Sequence, residues 1–255
     1  MPTVLAKELR LIDTDLADPA YTAAVDEALL DGNFELGTPT LHLYRRKPPG
    51  VTLGYFLKAT ESADLAFCKE NDIKVIRRLS GGGAIYTDEG QLVYGLAVRD
   101  QLPAAPTKCF EIVCGALVRA LGSLGCKAVF SPVNDVIAQG KKLSGSAIVN
   151  RGWAKLAHGT VIVHLDRDTM FKALRTDWAK LKAKGLAHPG DRVTSLEEVL
   201  GKRPPMEEVK AAVAKAMGET FKLTVKKGDL TAKERSRVDE LVRTKYSTDE
   251  WNLKV

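Results

Sequence analysis

Apolar runs of β type and apolar positions at helical spacing succeed one another along the chain and predict a mostly β core carrying helices. Leu9–Asp13 reads as a short strand and Ala20–Leu30 as a helix. Its acidic pair Asp26-Glu27, set among alanines and leucines, is expected on a solvated face. Leu41–Arg45 and Val51–Phe56 are strand-like and flank the turn Lys47-Pro48-Pro49-Gly50, which predicts a hairpin or two neighbouring strands. Ser62–Asn71 reads as a helix capped by its serine and leading into a strand over Ile73–Arg77. Leu92–Val98 is apolar on both faces, the mark of a central strand. Pro106–Leu124 carries Phe110, Val113, Leu117 and Leu121 at helical spacing, a pattern that packing alone explains.

From Ala128 the pattern is again β, over Ala128–Phe130, Asp135–Ala138, Lys142–Val149 and Lys155–Leu165. Parity in the last of these puts Leu156, His158, Thr160, Ile162 and His164 on one face. His158 and His164 then stand about 20 Å apart at ~3.3 Å per residue, too far to share a metal. Beyond them Phe171–Leu174, Trp178–Lys184, Leu196–Leu200 and Met206–Met217 read as helical, Phe221–Val225 as a closing strand and Thr231–Arg243 as a charged helix. With no internal repeat or low-complexity linker, one main unit over 1–225 is expected. Residues 226–255 would form a charged helix and a tail that packs on that unit or on a partner.

Composition narrows the partners. The 255 residues are 45% hydrophobic and carry a formal net charge of +6, with an isoelectric point near 9.0. That charge suits an anionic substrate or an acidic protein. Nucleic acid is disfavoured, because the basic residues are dispersed and aromatic content of 6% leaves little to stack bases on. No run approaches the ~18 apolar residues of a membrane span, and Met1–Arg10 offers no secretory apolar core. Cys68, Cys109, Cys114 and Cys126 form no CxxC pair and read as reduced core thiols, so a cytoplasmic protein is expected.

The candidate chemistry lies in Arg77-Arg78-Leu79-Ser80-Gly81-Gly82-Gly83-Ala84-Ile85-Tyr86, two cations running into three glycines between strands. Glycines allow positive φ and close approach of the backbone to a ligand, and consecutive N–H groups form an anion-binding concavity. Gly140-Lys141-Lys142-Leu143-Ser144-Gly145-Ser146-Ala147 repeats the cation-then-small-residue pattern. There is no GxxxxGK[ST] loop, no GxGxxG turn opening a helix and no serine nucleophile elbow. Joining a carboxylate to a phosphate needs fixed positive charge where negative charge collects in the transition state, and Arg78 and Lys142 can supply it.

These two stretches, together with Asn134-Asp135 and His158-Gly159-Thr160 between and after them, resemble the lipoate-protein ligases. The tail Lys245-Tyr246-Ser247-Thr248-Asp249-Glu250-Trp251-Asn252 is similar to the end of that family's catalytic domain, so the resemblance spans nearly the whole chain. It implies an α/β fold shared with biotin ligases, a mixed, largely antiparallel sheet flanked by helices. It implies that ATP, with Mg2+, activates lipoate as lipoyl-adenylate and that the lipoyl group passes to a lysine of an acidic lipoyl domain or glycine-cleavage carrier protein.

By the same resemblance Lys142 bridges lipoate carboxyl and α-phosphate. Arg78 holds phosphate, and Gly81, Gly82, Gly83, Ala84, Ile85 and Tyr86 bind the nucleotide. Asn134 and Asp135 lie near the adenylate and magnesium, with Asp135 as the metal ligand. Gly145 and Ser146 belong to the lysine motif, and His158 and Thr160 wall the lipoyl pocket. Thr87 stands where the family commonly has histidine, which puts triphosphate contacts there in question. Longer members continue into an accessory domain, so a separate accessory protein is expected, covering Tyr246, Trp251 and Leu253. Two alternatives remain open. One is an ATP-independent octanoyl or lipoyl transferase working through a cysteine acyl-enzyme, for which no cysteine falls near Asn134 or in the lysine motif. The other is a non-catalytic binder of lipoyl-adenylate or carrier protein.

Overall fold

A computed structural model describes residues 7–175 and 192–254. The helix expected over Trp178–Lys184 lies outside these residues. Eight strands form the main sheet: β1 (Glu8–Ala17), β2 (Thr40–Arg46), β6 (Gln91–Val98), β7 (Ala128–Ser131), β8 (Asp135–Ala138), β9 (Lys141–Asn150), β10 (Lys155–Ile162) and β11 (Thr224–Lys227). Their order is β11-β1-β2-β6-β10-β9-β8-β7, parallel where β1 meets β11 and β2 and antiparallel elsewhere. β6, buried at all eight positions, is central as its two-sided apolar pattern requires. A second sheet joins β3 (Gly50–Leu53), β4 (Lys74–Arg77) and β5 (Ile85–Thr87) in the order β4-β3-β5.

β2 and β3 therefore belong to different sheets and are not a hairpin. The Lys47–Pro49 turn carries the chain from one sheet to the other. A short helix, α2 (Ala59–Ser62), ends at Ser62, and α3 (Leu65–Glu70) is capped by Asp64, whose carboxylate accepts the Phe67 N–H. The cap is thus Asp64 and not Ser62.

Two layers cover the main sheet. On one face α4 (Pro106–Ser123) and α7 (Met206–Phe221) pack Val113, Leu117, Leu121, Val209, Val213 and Met217 against inward residues of the strands. α5 (Arg167–Ala173) packs on the small sheet instead, and α6 (Leu196–Leu200) adds Leu196 to the main core. Lys222 ends α7 in the left-handed conformation, φ 56°, so Phe221 stays helical and the closing strand begins only at Thr224.

On the other face lies α1 (Pro19–Leu36), with α8 (Ala232–Leu241), the wide turn Val242–Tyr246 and α9 (Asp249–Asn252) stacked behind it. A helix sandwiched between a sheet and another helix has little solvated surface. Asp26 and Glu27, expected on an exposed face, are accordingly 4% and 3% exposed. The Glu27 carboxylate accepts the Tyr246 hydroxyl at 2.7 Å and the Lys245 ammonium at 2.7 Å, which fastens the tail to α1.

The tail is covered by its own chain. Tyr246 is 1% exposed and Asn252 is 5% exposed. Trp251 Nε1 donates to the Arg77 carbonyl, and Asn252 Oδ1 accepts the Arg77 N–H. The Arg77 guanidinium in turn donates to the carbonyls of Gly54, Tyr55, Leu57, Trp251, Asn252 and Lys254. Arg77 is fully buried, so of the two arginines before the glycines one is a structural rivet, not an anion ligand. Arg77→Lys keeps the charge but loses the fork that reaches carbonyls on both sides. It should lower stability by about 3 kcal/mol, read as a drop in the urea midpoint.

Candidate functional site

The loop Ser80–Ala84 leaves β4, passes the end of β3 and returns into β5. It lies so close to β3 that a Cβ on Gly54 would come 2.0 Å from the Gly82 carbonyl oxygen. Gly82 itself has φ 98°, which only glycine adopts without strain. Arg78 reaches back under the loop. Its Nη2 donates to the Gly81 and Gly83 carbonyls at 2.7 and 2.8 Å, its Nε to Ser80 Oγ, and its Nη1 to the Thr52 carbonyl.

Ser80 Oγ also meets His158 Nε2 at 2.6 Å, and His158 Nδ1 lies 3.6 Å from Asp26 Oδ2. The other Asp26 oxygen faces His42 Nδ1 at 2.9 Å, and the Tyr44 hydroxyl donates to Oδ2 at 3.2 Å. Burial alone would raise the Asp26 pKa. The close approach of His158 and the hydrogen bond with His42 outweigh it and hold the carboxyl far below the usual range. Burial and the Asp26 charge push Tyr44 upward, so its hydroxyl remains a donor. Gly95 on β6 makes room for this carboxylate, since a Cβ there would stand 2.4 Å from Asp26 Oδ1.

Above this floor opens a cavity of about 370 Å³, within the usual range for small-molecule sites. Arg78, Gly81, Gly82, Gly83, Ala84 and Ile85 line one side, and Asn134, Lys142, Gly145, Ser146, His158 and Thr160 line the other. Of the residues singled out from the sequence, two are not in the lining. Tyr86 alternates away from Ile85 and Thr87 and packs into the small-sheet core at 6% exposure. Asp135 stands behind Lys142, its Oδ1 2.6 Å from Nζ. That ammonium occupies the space left by Gly145, where a Cβ would fall 2.6 Å from it. Asn134 and Ser146 brace the β8–β9 pair, the Asn134 amide donating to the Ser146 carbonyl.

Other lining residues were not anticipated. Phe110, assigned to packing, lines the cavity, as do Tyr246 from the tail and Arg46, Tyr44 and Thr52. For Arg46 and Tyr44 a signal was available: β2 alternates Leu41 and Leu43 into the main core, so His42, Tyr44 and Arg46 must share the opposite face. Thr87 is buried and its hydroxyl accepts from Arg46. His164 lies apart, 2.6 Å from Glu197, as its spacing from His158 requires. Among the described residues no group of three or more His, Cys, Asp or Glu could hold a metal ion. All four cysteines are free and buried, as expected, and none lines the cavity. Cys114 Sγ reaches Ser146 Oγ at 3.5 Å, but burial pushes its thiol up, away from a reactive thiolate.

Residues 18–218 match the family model of the lipoyl protein ligase A/B catalytic domain. The chain is 29% identical to octanoyltransferase LipM of Geobacillus kaustophilus, over 98% of this chain and 100% of that protein. It is 33% identical to lipoate-protein ligase A subunit 1 of Thermoplasma acidophilum, over 96% of this chain and 95% of that protein. Among solved structures, the bipartite lipoate protein ligase of the T. acidophilum lipoylation system, studied with its E2 lipoyl domain, superposes with a TM-score of 0.87 at 31% identity, covering 98% of this chain and 96% of that one. A lipoate-protein ligase A bound with ATP gives 0.83 at 31% identity, covering 97% and 98%. A T. acidophilum lipoate protein ligase with bound lipoic acid gives 0.82 at 31% identity, covering 97% and 99%.

Asp26→Asn removes the charge that two histidines and a tyrosine converge on, and should cost about 3 kcal/mol at pH 7. Because the folded carboxyl titrates below its unfolded value of roughly 3.9, the contribution is complete above that pH and is lost as pH falls through the depressed folded value. Urea midpoints of the two proteins should therefore converge on acidification below pH ~4. A gap that stays constant would assign the effect to packing and not to charge.

Proposed function

The chain belongs to the lipoyl protein ligase A/B catalytic-domain family, and on that premise we propose that it is an ATP-dependent lipoate-protein ligase. In this reading ATP adenylates the lipoate carboxylate with release of pyrophosphate, and the lipoyl group then passes from the adenylate to the ε-amine of a carrier-protein lysine.

The observation that carries the reading is the pairing of a cation-rich cavity with the absence of any cysteine from its lining. A transferase of the acyl-enzyme type needs an activated thiolate at the site, and burial keeps the Cys114 thiol protonated. The ATP-bound and lipoic-acid-bound structural neighbours support the same choice of substrates. Lys142 would stand between the lipoate carboxylate and the α-phosphate, with Asp135 orienting its ammonium. Arg78 and the backbone of Gly81–Ile85 would hold phosphate and nucleotide, and His158 and Thr160, with Val93 and Leu156, would wall the lipoyl chain. Mg2+ is commonly held by one or two carboxylates completed by substrate phosphates, but Asp135, the ligand expected from the sequence, lies outside the cavity lining and is engaged by the Lys142 ammonium, so in this arrangement it does not fit that role.

The partner is a lipoyl carrier, of lipoyl-domain or glycine-cleavage type, and the net charge of +6 suits an acidic one. The bipartite T. acidophilum relative supports a separate accessory subunit. Because this chain already covers its own tail, that subunit would act on another surface and favour the adenylate-competent state. Residues 1–225 would carry the activation and transfer machinery and 226–255 its backing. Among the described residues no helix is long and apolar enough to cross a membrane, and buried free thiols suit a cytoplasmic setting.

Lipoate-dependent exchange between ATP and pyrophosphate tests the first step directly. Lys142→Ala should reduce it by a factor of 100 or more, about 3 kcal/mol of transition-state stabilisation, with the thermal midpoint unchanged. Lys141→Ala, outside the cavity lining, should behave as wild type. Transfer from an octanoylated carrier without ATP, in the absence of exchange, would establish the transferase instead. Lipoylation of an apo carrier should accelerate when the accessory subunit is added, and a full rate without it would remove that partner from the scheme.

A further inference from the structure

Arg46 closes β2 and turns inward with His42 and Tyr44, while its neighbour Arg45 pairs with Asp15. It lines the cavity and is only 4% exposed. Its Nη1 donates to the hydroxyls of Thr52 and Thr87, and its guanidinium carbon lies 5.6 Å from the Tyr44 ring centroid. Its Nε has no hydrogen-bond partner in the protein, and among the described residues no carboxylate pairs with it.

Two hydroxyls and an aromatic face do not neutralise a guanidinium, and a buried charge left unpaired is costly. Among the described residues, the buried acids and Lys210 are each answered by an opposite charge, while Arg77, outside the cavity, is wrapped by six carbonyls. Asp26 has His42 and His158, Glu27 has Lys245, Lys210 has Asp13 and Asp15, and Glu234 has Arg10. Arg78, half-buried in the cavity wall beside Arg46, likewise has no carboxylate among the described residues: its donors go to Ser80 Oγ and to the carbonyls of Thr52, Gly81 and Gly83. Thr52 is their common post, its hydroxyl toward Arg46 and its carbonyl toward Arg78. Burial and the nearby Arg46 push the Arg78 pKa down to about 10, which leaves Arg78 charged at neutral pH and facing a like charge.

We propose that Arg46 and Arg78 together form a subsite for a multiply charged phosphate oxyanion, and that Arg46 takes the outer phosphates of the nucleotide and the pyrophosphate that leaves. A monocarboxylate would answer one of the two cations and leave the other unpaired, whereas a diphosphate carries charge for both and matches the planar donor fork of each arginine. The subsite rests on the ligase reading. It adds a binding residue far from the glycine motif in sequence, held in place by Thr87.

Calorimetric titration of wild type and Arg46→Met with pyrophosphate, ATP, AMP and lipoate tests it. Affinity for pyrophosphate and ATP should fall about 10- to 100-fold, the usual worth of a charge-assisted contact, while AMP and lipoate bind as before. The ligand-free variant should melt no lower than wild type, because an unpaired buried charge has been removed. Unchanged pyrophosphate affinity, or a lipoate affinity that falls as far as that of pyrophosphate, would overturn the subsite. If Arg46→Met does not fold, Arg46→Lys decides: weaker pyrophosphate binding with lipoate unaffected supports the proposal, and equal binding of both overturns it. A wild-type protein that binds lipoate but neither ATP nor pyrophosphate would instead sink the ligase reading, and the subsite with it.

Discussion

A single buried carboxylate organises the floor of the cavity. Asp26 can remain ionised in the interior only because His42, His158 and Tyr44 converge on it. Those three side chains come from β2 and β10, on either side of β6, and β6 contributes Gly95 to let the carboxylate in. The requirement runs onward through His158 to Ser80, so the glycine loop is tethered to a charge on α1. Helix, sheet and loop are locked in register by one group that would be prohibitive to leave unpaired.

The second constraint closes the loop from behind. Arg77, the last residue of β4, is wrapped by carbonyls from residues 54–57 and 251–254, and its backbone is bonded to Trp251 and Asn252. Glu27, adjacent to Asp26, holds Lys245 and Tyr246. The root of the loop and the wall of the cavity thus depend on residues separated by 174 to 219 positions in sequence. Contacts of that range carry the entropy cost of loop closure across most of the chain, so the cavity is a property of the completed domain and not of any local motif.

Charge is distributed unevenly within this frame. Acidic groups in the interior are matched by histidine, lysine, arginine or tyrosine, and Lys142 shares Asp135 at the cavity edge. Arg46 and Arg78 are satisfied only by neutral acceptors. A preorganised field of this kind lowers the energy of developing negative charge without reorganisation at the moment of reaction. Its cost falls on the empty protein, where the tethers through Thr52, Thr87 and the loop carbonyls hold it in place.

Periodicity was enough to place most strands and helices, because burial on one face of a strand or helix imposes a repeat the chain cannot hide. The glycine loop and Lys142 were equally legible, since a turn that needs glycine and a cation beside small residues are local statements, whereas His158 was singled out only by the family resemblance. What sequence could not assign was the partner of each polar side chain. Asp26-Glu27 looks like a solvated pair until α8 is known to lie over α1, and Arg77 and Arg78 look equivalent until the tail claims the first. Phe110, Arg46 and Tyr246 enter the cavity from three distant segments. Which face of the chain meets water and which meets another segment is decided by long-range packing, and burial and pairing of charge follow from it.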